Sequence, residues 1–177
     1  MLVDLDHQVR ERQPVLPLSR EPQKSWSGIG FSLNGFYYVS PIDEIAEILE
    51  IPRLTTVPGV HPWVKGLGNV RGRLVPVIDL MQFFYGRMSA VQLKRQRLFL
   101  IESNEHVAGV IVDEVLGMQH FLVDSFLPQV RVMDQHIRPF ITGGYSVGEK
   151  KWPIFSPLLL FKNTEFMTLE AEERVFN

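Results

Sequence analysis

The sequence predicts a mainly β protein built as two small, open barrels packed together, and three observations carry that prediction. Glycine or proline interrupts the 177-residue chain every several residues, and the runs between are short and rich in Val, Ile, Phe and Tyr, the composition of strands bounded by turns. Asn34-Gly35 stands between two such runs, and Asn-Gly supplies the two positive-φ residues of a type I′ hairpin turn. Beyond the polar stretch 89–96 the pattern starts again, so the chain divides into two β-rich halves without a residue-level repeat, as two packed barrels would.

The first elements precede the barrels. Leu2, Leu5 and Val9 recur at helical spacing among Asp4, Asp6, Arg10 and Glu11, a pattern that fits a short amphipathic helix and a frayed tail equally well. Pro14, Pro17 and Pro22 then break any regular element, so 1–25 is expected to be a helical extension with an extended linker. The folded body is expected over 26–163 and a terminal helix or tail over 164–177.

Within the body, Ile29 to Leu33 and Phe36 to Val39 form the first hairpin around Asn34-Gly35. Ser40-Pro41 follows as a cap and first helical position, with Asp43 and Glu44 in the first turn and Ile42 and Ile45 expected to face inward. Residues 66–80 run strand, tight turn, strand, and Leu74, Val75, Val77 and Ile78 are too uniformly apolar for a strand wet on one face. Pro76 lacks an N–H, which places it at a free edge or a bulge. In the second half, Leu98 to Ile101, a turn at Ser103-Asn104-Glu105, Val107 to Val112 and 115–121 continue the strands, with a last hairpin from Phe140-Ile141 and 152–161.

Composition bounds the chemistry. At 45% apolar and 21% charged residues, a chain of this length buries a core without disulfides or a structural metal. The absence of cysteine removes thiolate zinc sites and a cysteine nucleophile and fits a reducing compartment, so a cytoplasmic location is expected. Residues 1–12 carry mixed charge and no apolar core of a secretory signal, and no run nears the ~18 apolar residues of a membrane span, so no direct membrane insertion is expected. A net charge of −2 gives no field to gather phosphates, and Lys94, Arg95 and Arg97 read as a solvated linker; nucleic acid is not an expected partner.

Catalytic patterns fail on inspection. Gly144-Tyr-Ser146-Val-Gly148 matches the nucleophile elbow, but turn residues follow where a helix is required, and no His or Asp comes after Ser146 in the chain. Gly66-Leu-Gly68-Asn-Val-Arg71 misses the dinucleotide fingerprint because Arg71 stands at the third glycine. His7, His61, His106, His120 and His136 lack metal-ligand spacing. Asp79 and Asp113 each close an apolar strand and read as caps or turn anchors. No enzyme activity, metal or cofactor is expected.

The ordered series of turn blocks from Phe31 to Leu159 resembles the CheW-like chemotaxis coupling-protein family. Phe31-x-Leu33 with Gly35 and Tyr38 looks like the opening hairpin, and Val57-Pro58 with Val64-Lys65-Gly66 looks like the approach to the hallmark block. That block is Asn69-Val-Arg71-Gly72-x-x-Val75-Pro76-Val77-Ile78-Asp79-Leu80, and Gly109-Val-Ile-Val112-Asp113-x-Val115-x-Gly117 adds the family's later strand. The resemblance implies two five-stranded barrels and a non-enzymatic adaptor between methyl-accepting chemoreceptors and a CheA-type histidine kinase. It places the receptor's cytoplasmic hairpin tip in a groove between the barrels, the kinase regulatory domain at barrel ends, and the protein in cytoplasmic arrays recruited to membrane receptors.

Position by position, Ile45, Glu47, Gly66, Asn69 and Arg71 fall where the family's receptor- and kinase-coupling residues lie. Arg71 offers a planar fork to carboxylates or carbonyls on a helical tip, Glu47 a complementary charge and Ile45 an apolar contact of the helix-in-groove kind; the alternative is that Arg71 and Glu47 pair with each other or with the turn backbone. The missing acid in 152–159, Gly68 in place of an aliphatic residue and the N-terminal extension look more like the branch serving type IV pilus twitching (PilI-like) than a flagellar adaptor. A flagellar-type adaptor and an unrelated small-barrel binding module stay as alternatives.

Overall fold

A computed structural model describes residues 23–170, and the expected helix over 2–13, most of the linker and the last seven residues of the chain lie outside that range. Twelve strands form two six-stranded sheets among the described residues. The first has the order β10-β11-β12-β2-β1-β9 and holds β1 (Ser25–Leu33), β2 (Phe36–Pro41), β9 (Glu114–Leu122), β10 (Phe126–Leu127), β11 (Ile141–Val147) and β12 (Lys150–Phe155). The second has the order β3-β7-β8-β6-β5-β4 and holds β3 (Glu47–Leu49), β4 (Leu54–Thr55), β5 (Val64–Val70), β6 (Arg73–Asp79), β7 (Arg97–Glu102) and β8 (Val107–Val112). In each, a two-residue strand, β10 or β4, is added at one edge of five longer ones.

The sheets are not the two sequence halves. The first hairpin leaves its neighbours and joins the end of the chain: β1 pairs antiparallel with β9, and β2 pairs parallel with β12 through Val39 and Ile154. Strands β7 and β8 in turn complete the second sheet, β8 lying parallel to β6. Local turn chemistry predicts hairpins, but these crossovers rest on long-range burial that no local pattern encodes.

Three apolar clusters explain why so many strands lack a polar face. Val70, Val75, Val77, Leu98, Leu100 and Ile111 make one inside the second sheet, and Val39, Phe121, Tyr145, Trp152 and Ile154 make another inside the first. The largest lies between them and takes Phe31 and Tyr38 from one sheet and Ile78, Phe99, Ile101 and Val110 from the other. Along β7, Leu98 and Leu100 therefore serve one cluster while Phe99 and Ile101 serve the next. Alternation persists in direction but not in polarity, because both faces are covered.

Several expected details are corrected. Ser40 belongs to β2 and is fully buried, and the turn after it is a 3-10 turn, Ile42–Glu44, in which Ile42 points outward. Pro76 lies in an inner strand, one residue before the parallel pairing of Val77 with Gly109 begins and next to a bulge between Val64 and Gly66. Residues 157–162 form a 3-10 helix and not a strand, as Pro157 at its start favours. A helix that the sequence reading passed over, α1 (Leu80–Tyr85), is capped by Asp79 and ended by Gly86 in the left-handed region. Among the described residues of the expected C-terminal helix or tail, Thr164–Met167 form one helical turn, α2, capped by Asn163.

Candidate functional site

The hallmark block folds into the β5–β6 hairpin, and its tip is the two-residue turn Arg71-Gly72. Val70 pairs with Arg73, and the two residues between have φ of 52° and 79°. Both signs are those of a type I′ turn, in which Asn-Gly or Asp-Gly is usual and arginine is not. A non-glycine residue in the left-handed region costs on the order of 1 kcal/mol, and such outliers concentrate where a side chain has a function. Asn69 supports the turn: its Oδ1 accepts a hydrogen bond from Gly72 N at 2.8 Å.

From this tip Arg71 reaches β3, the edge strand of the second sheet, where its Nη2 donates to Glu47 Oε1 at 2.8 Å. The arginine side chain remains 79% exposed and the glutamate 26%. Beside it Arg73 donates to Glu102 in a second ion pair. The two pairs frame a shallow depression with Ala46, Val70 and Leu100 in its wall.

Of the five residues singled out in the sequence, the structure brings Glu47, Asn69 and Arg71 together at this end of the barrel. Gly66 sits further back in β5 with φ of 139°, where a Cβ would lie 2.2 Å from Thr55 O, so glycine is required there by close backbone approach. Ile45 packs against the central core and does not join the surface cluster. Arg73 and Glu102 escaped the sequence reading. Their one signal was position: each is the last barrel-facing residue of its strand, two residues from Val75 and Leu100 respectively.

The other candidates are structural. Ser146 lies in β11, opposite Lys151 of β12, with its Oγ near Gly148 O and a hairpin turn after it in place of a helix. Asp79 Oδ1 accepts from Met81 N at 3.0 Å as the cap of α1, and burial holds its carboxyl above the usual range. Asp113 is a turn anchor, accepting from Asn34 N at 2.9 Å and from Ser89 Oγ at 2.6 Å. Burial likewise pushes the Tyr38 phenol up to about 12, with Asp134 adding to the shift. No cluster of three or more His, Asp or Glu side chains suited to a metal occurs among the described residues.

The CheW-like domain matches residues 27–165, a span that takes in the Arg71 hairpin and nearly all of both sheets. The chain belongs to the CheW-like family. This CheW-like chain is 43% identical to Protein PilI of Pseudomonas aeruginosa over 94% of its own length and 93% of that protein's, a span that exceeds the domain and takes in flanking sequence. It is 33% identical to Protein FrzA of Myxococcus xanthus over 50% of this chain and 54% of that protein. The scaffolding protein TtCheW of Thermoanaerobacter tengcongensis superposes with a TM-score of 0.66 at 25% identity, covering 87% of this chain and all of the other.

Proposed function

We propose that this CheW-like chain is a non-enzymatic adaptor that couples methyl-accepting chemoreceptors to a CheA-type histidine kinase, on the cytoplasmic side of a membrane receptor array. The observation that carries the reading is Arg71: an arginine in a left-handed turn position, 79% exposed, held there although asparagine would cost less. Its pair with Glu47 is exposed on the arginine side, and surface pairs contribute only about 0–1 kcal/mol, so a partner can replace Glu47 at little cost. Arg71 and Glu47 make the partner contact; Asn69 and Gly66 shape the hairpin beneath them, and Ile45 ties the neighbouring turn to the core. The receptor's hairpin tip is assigned to the groove between the barrels and the kinase regulatory domain to a barrel end.

The array governs type IV pilus twitching motility in this reading, supported by the likeness to Protein PilI that runs along nearly the whole chain. A flagellar-type adaptor is the second reading, supported by matches to proteins named Chemotaxis protein CheW over about half to two thirds of this chain.

The test is capture of a receptor cytoplasmic fragment and a CheA-like kinase from the same cell by tagged wild type and by Arg71→Glu. Wild type is expected to form the ternary complex, and a cooperatively folded Arg71→Glu to lose about tenfold or more in affinity, about 1.4 kcal/mol. Capture of neither partner by wild type refutes the adaptor. Hydrolysis of a simple acyl ester that vanishes in Ser146→Ala would establish an esterase instead; the expected rate is that of buffer.

A further inference from the structure

The second ion pair at the barrel end stands on the surface, where it does little to hold the fold. In β6 the barrel-facing positions run Val77, Val75, Arg73, and in β7 they run Leu98, Leu100, Glu102. The inward series thus ends in an arginine and a glutamate that meet each other over the mouth of the barrel. Both are well exposed, 52% and 40%, so their pairing contributes little to stability. What charges at such a place add is choice of partner and rate of encounter.

The exposures also give the sign of the partner. In both ion pairs the arginine is the more exposed member, 79% against 26% and 52% against 40%. Arg71 therefore projects beyond a largely covered Glu47, whereas Glu102 stays nearly as open as Arg73, and both guanidiniums are within reach of a partner's carboxylate. Each arginine meets its glutamate through Nη2, and a guanidinium carries five N–H donors, so each fork keeps donors for a second carboxylate. Val70 and Leu100 close the depression from beneath but are buried, so the surface it offers is mainly polar.

We propose that Arg73 joins Arg71 in a two-arginine docking site at this barrel end. The site takes a protein segment that presents two carboxylates. Glu47 and Glu102 hold the forks in orientation in the free protein and yield them on binding. The proposal rests on the adaptor reading and names the recognition chemistry of its kinase-facing site, so Arg73 and Glu102 act as specificity-determining residues.

The experiment measures binding of the CheA-like kinase by wild type, Arg73→Glu, Glu102→Gln and the charge swap Arg73→Glu/Glu102→Arg, each checked for an unchanged melting curve. Arg73→Glu is expected to bind at least tenfold more weakly, Glu102→Gln to bind as tightly as wild type or more so, and the swap to stay weak although its ion pair is restored. Steeper loss of wild-type binding with salt than of Arg73→Glu binding is also expected. Full binding by Arg73→Glu, or recovery in the swap, overturns the two-arginine site while leaving the adaptor intact. No kinase binding by wild type while the receptor fragment is captured overturns the kinase assignment of this end; capture of neither overturns the adaptor itself.

Discussion

Two hairpin tips in this protein have almost the same backbone and opposite uses. Asn34-Gly35 has φ of 53° and 79°, and Arg71-Gly72 has φ of 52° and 79°. The first tip is tied inward: its Asn34 N–H goes to the buried carboxylate of Asp113, and its Oδ1 accepts from Arg87. The second faces out, with its arginine 79% exposed and braced by Glu47. Asparagine suits the left-handed region and is chosen by the turn; arginine does not, and is kept for what its side chain carries. A shared shape with unlike residues separates a folding device from a recognition device.

The comparison breaks most sharply in the strands that lead to the tips. Each contains a bulge beside a glycine, Gly30 in β1 and Gly66 in β5. A Cβ on Gly30 would press on side-chain atoms of β9, Gln119 Cγ at 2.9 Å and Leu116 Cβ at 3.3 Å; a Cβ on Gly66 would meet the Thr55 carbonyl oxygen, fixed backbone, at 2.2 Å. Gly66→Ala is therefore expected to destabilise by about 3 kcal/mol or more, and Gly30→Ala by less. Denaturant melts decide between them. If Gly66→Ala keeps its stability but loses partner capture, Gly66 is a contact residue and not a backbone requirement.

The next effect is at the anchor of the inward tip. Asp113→Ala strands the donors of Asn34 N–H and Ser89 Oγ, and losing a buried acceptor costs about 1–3 kcal/mol. In a domain of this size each kcal/mol lowers the melting temperature by about 2–4 °C, so a fall of roughly 2–12 °C is expected by calorimetry. Capture of either partner should change no more than the folded fraction does. The outward tip should respond in reverse to Arg71→Asn. Removing arginine from the left-handed region is expected to raise stability by about 0.5–1 kcal/mol while weakening kinase capture; a variant that loses stability would make the Glu47 pair, and not the partner, the reason for arginine.

What the sequence made legible follows the same division. Asn34-Gly35 declared its hairpin because turn chemistry is local, and the block around Arg71 declared its family because its residues are consecutive. Contacts that span the chain were legible only where the family resemblance brought both partners to notice: the Arg71–Glu47 pair, 24 positions apart, was one of the two readings and is formed, whereas Arg73 with Glu102 across 29 positions and Asn34 with Asp113 across 79 left no sign. The return of the first hairpin to the C-terminal strands was hidden for the same reason, and with it the doubly buried β7 and β8. Ile42 faced outward against expectation because a single 3-10 turn has too few residues for an apolar face to set its direction.

The smallest expected effect contrasts the carboxylates behind the two hairpins. Asp113 receives its donors from segments far apart in the chain, whereas Asp79 closes β6 and takes backbone N–H groups from Met81 and Gln82 at the start of α1, with a carboxyl that burial holds above the usual range and Lys65 pulling the other way. A carboxyl whose folded pKa is raised binds its proton more tightly in the folded state. Its contribution is fully present below the unfolded pKa and is lost as pH rises through the folded one. Near neutrality the buried charge is thus a cost, and an amide can still cap α1. Asp79→Asn is expected to be at least as stable as wild type near pH 7, and to remove part of the decline in stability as pH rises from about 4 into the window above the usual carboxylate range. Chemical denaturation at several pH values measures this. A steeper decline in Asp79→Asn, or a clear loss at pH 7, would mean that the charge of Asp79 stabilises the start of α1 by more than its burial costs.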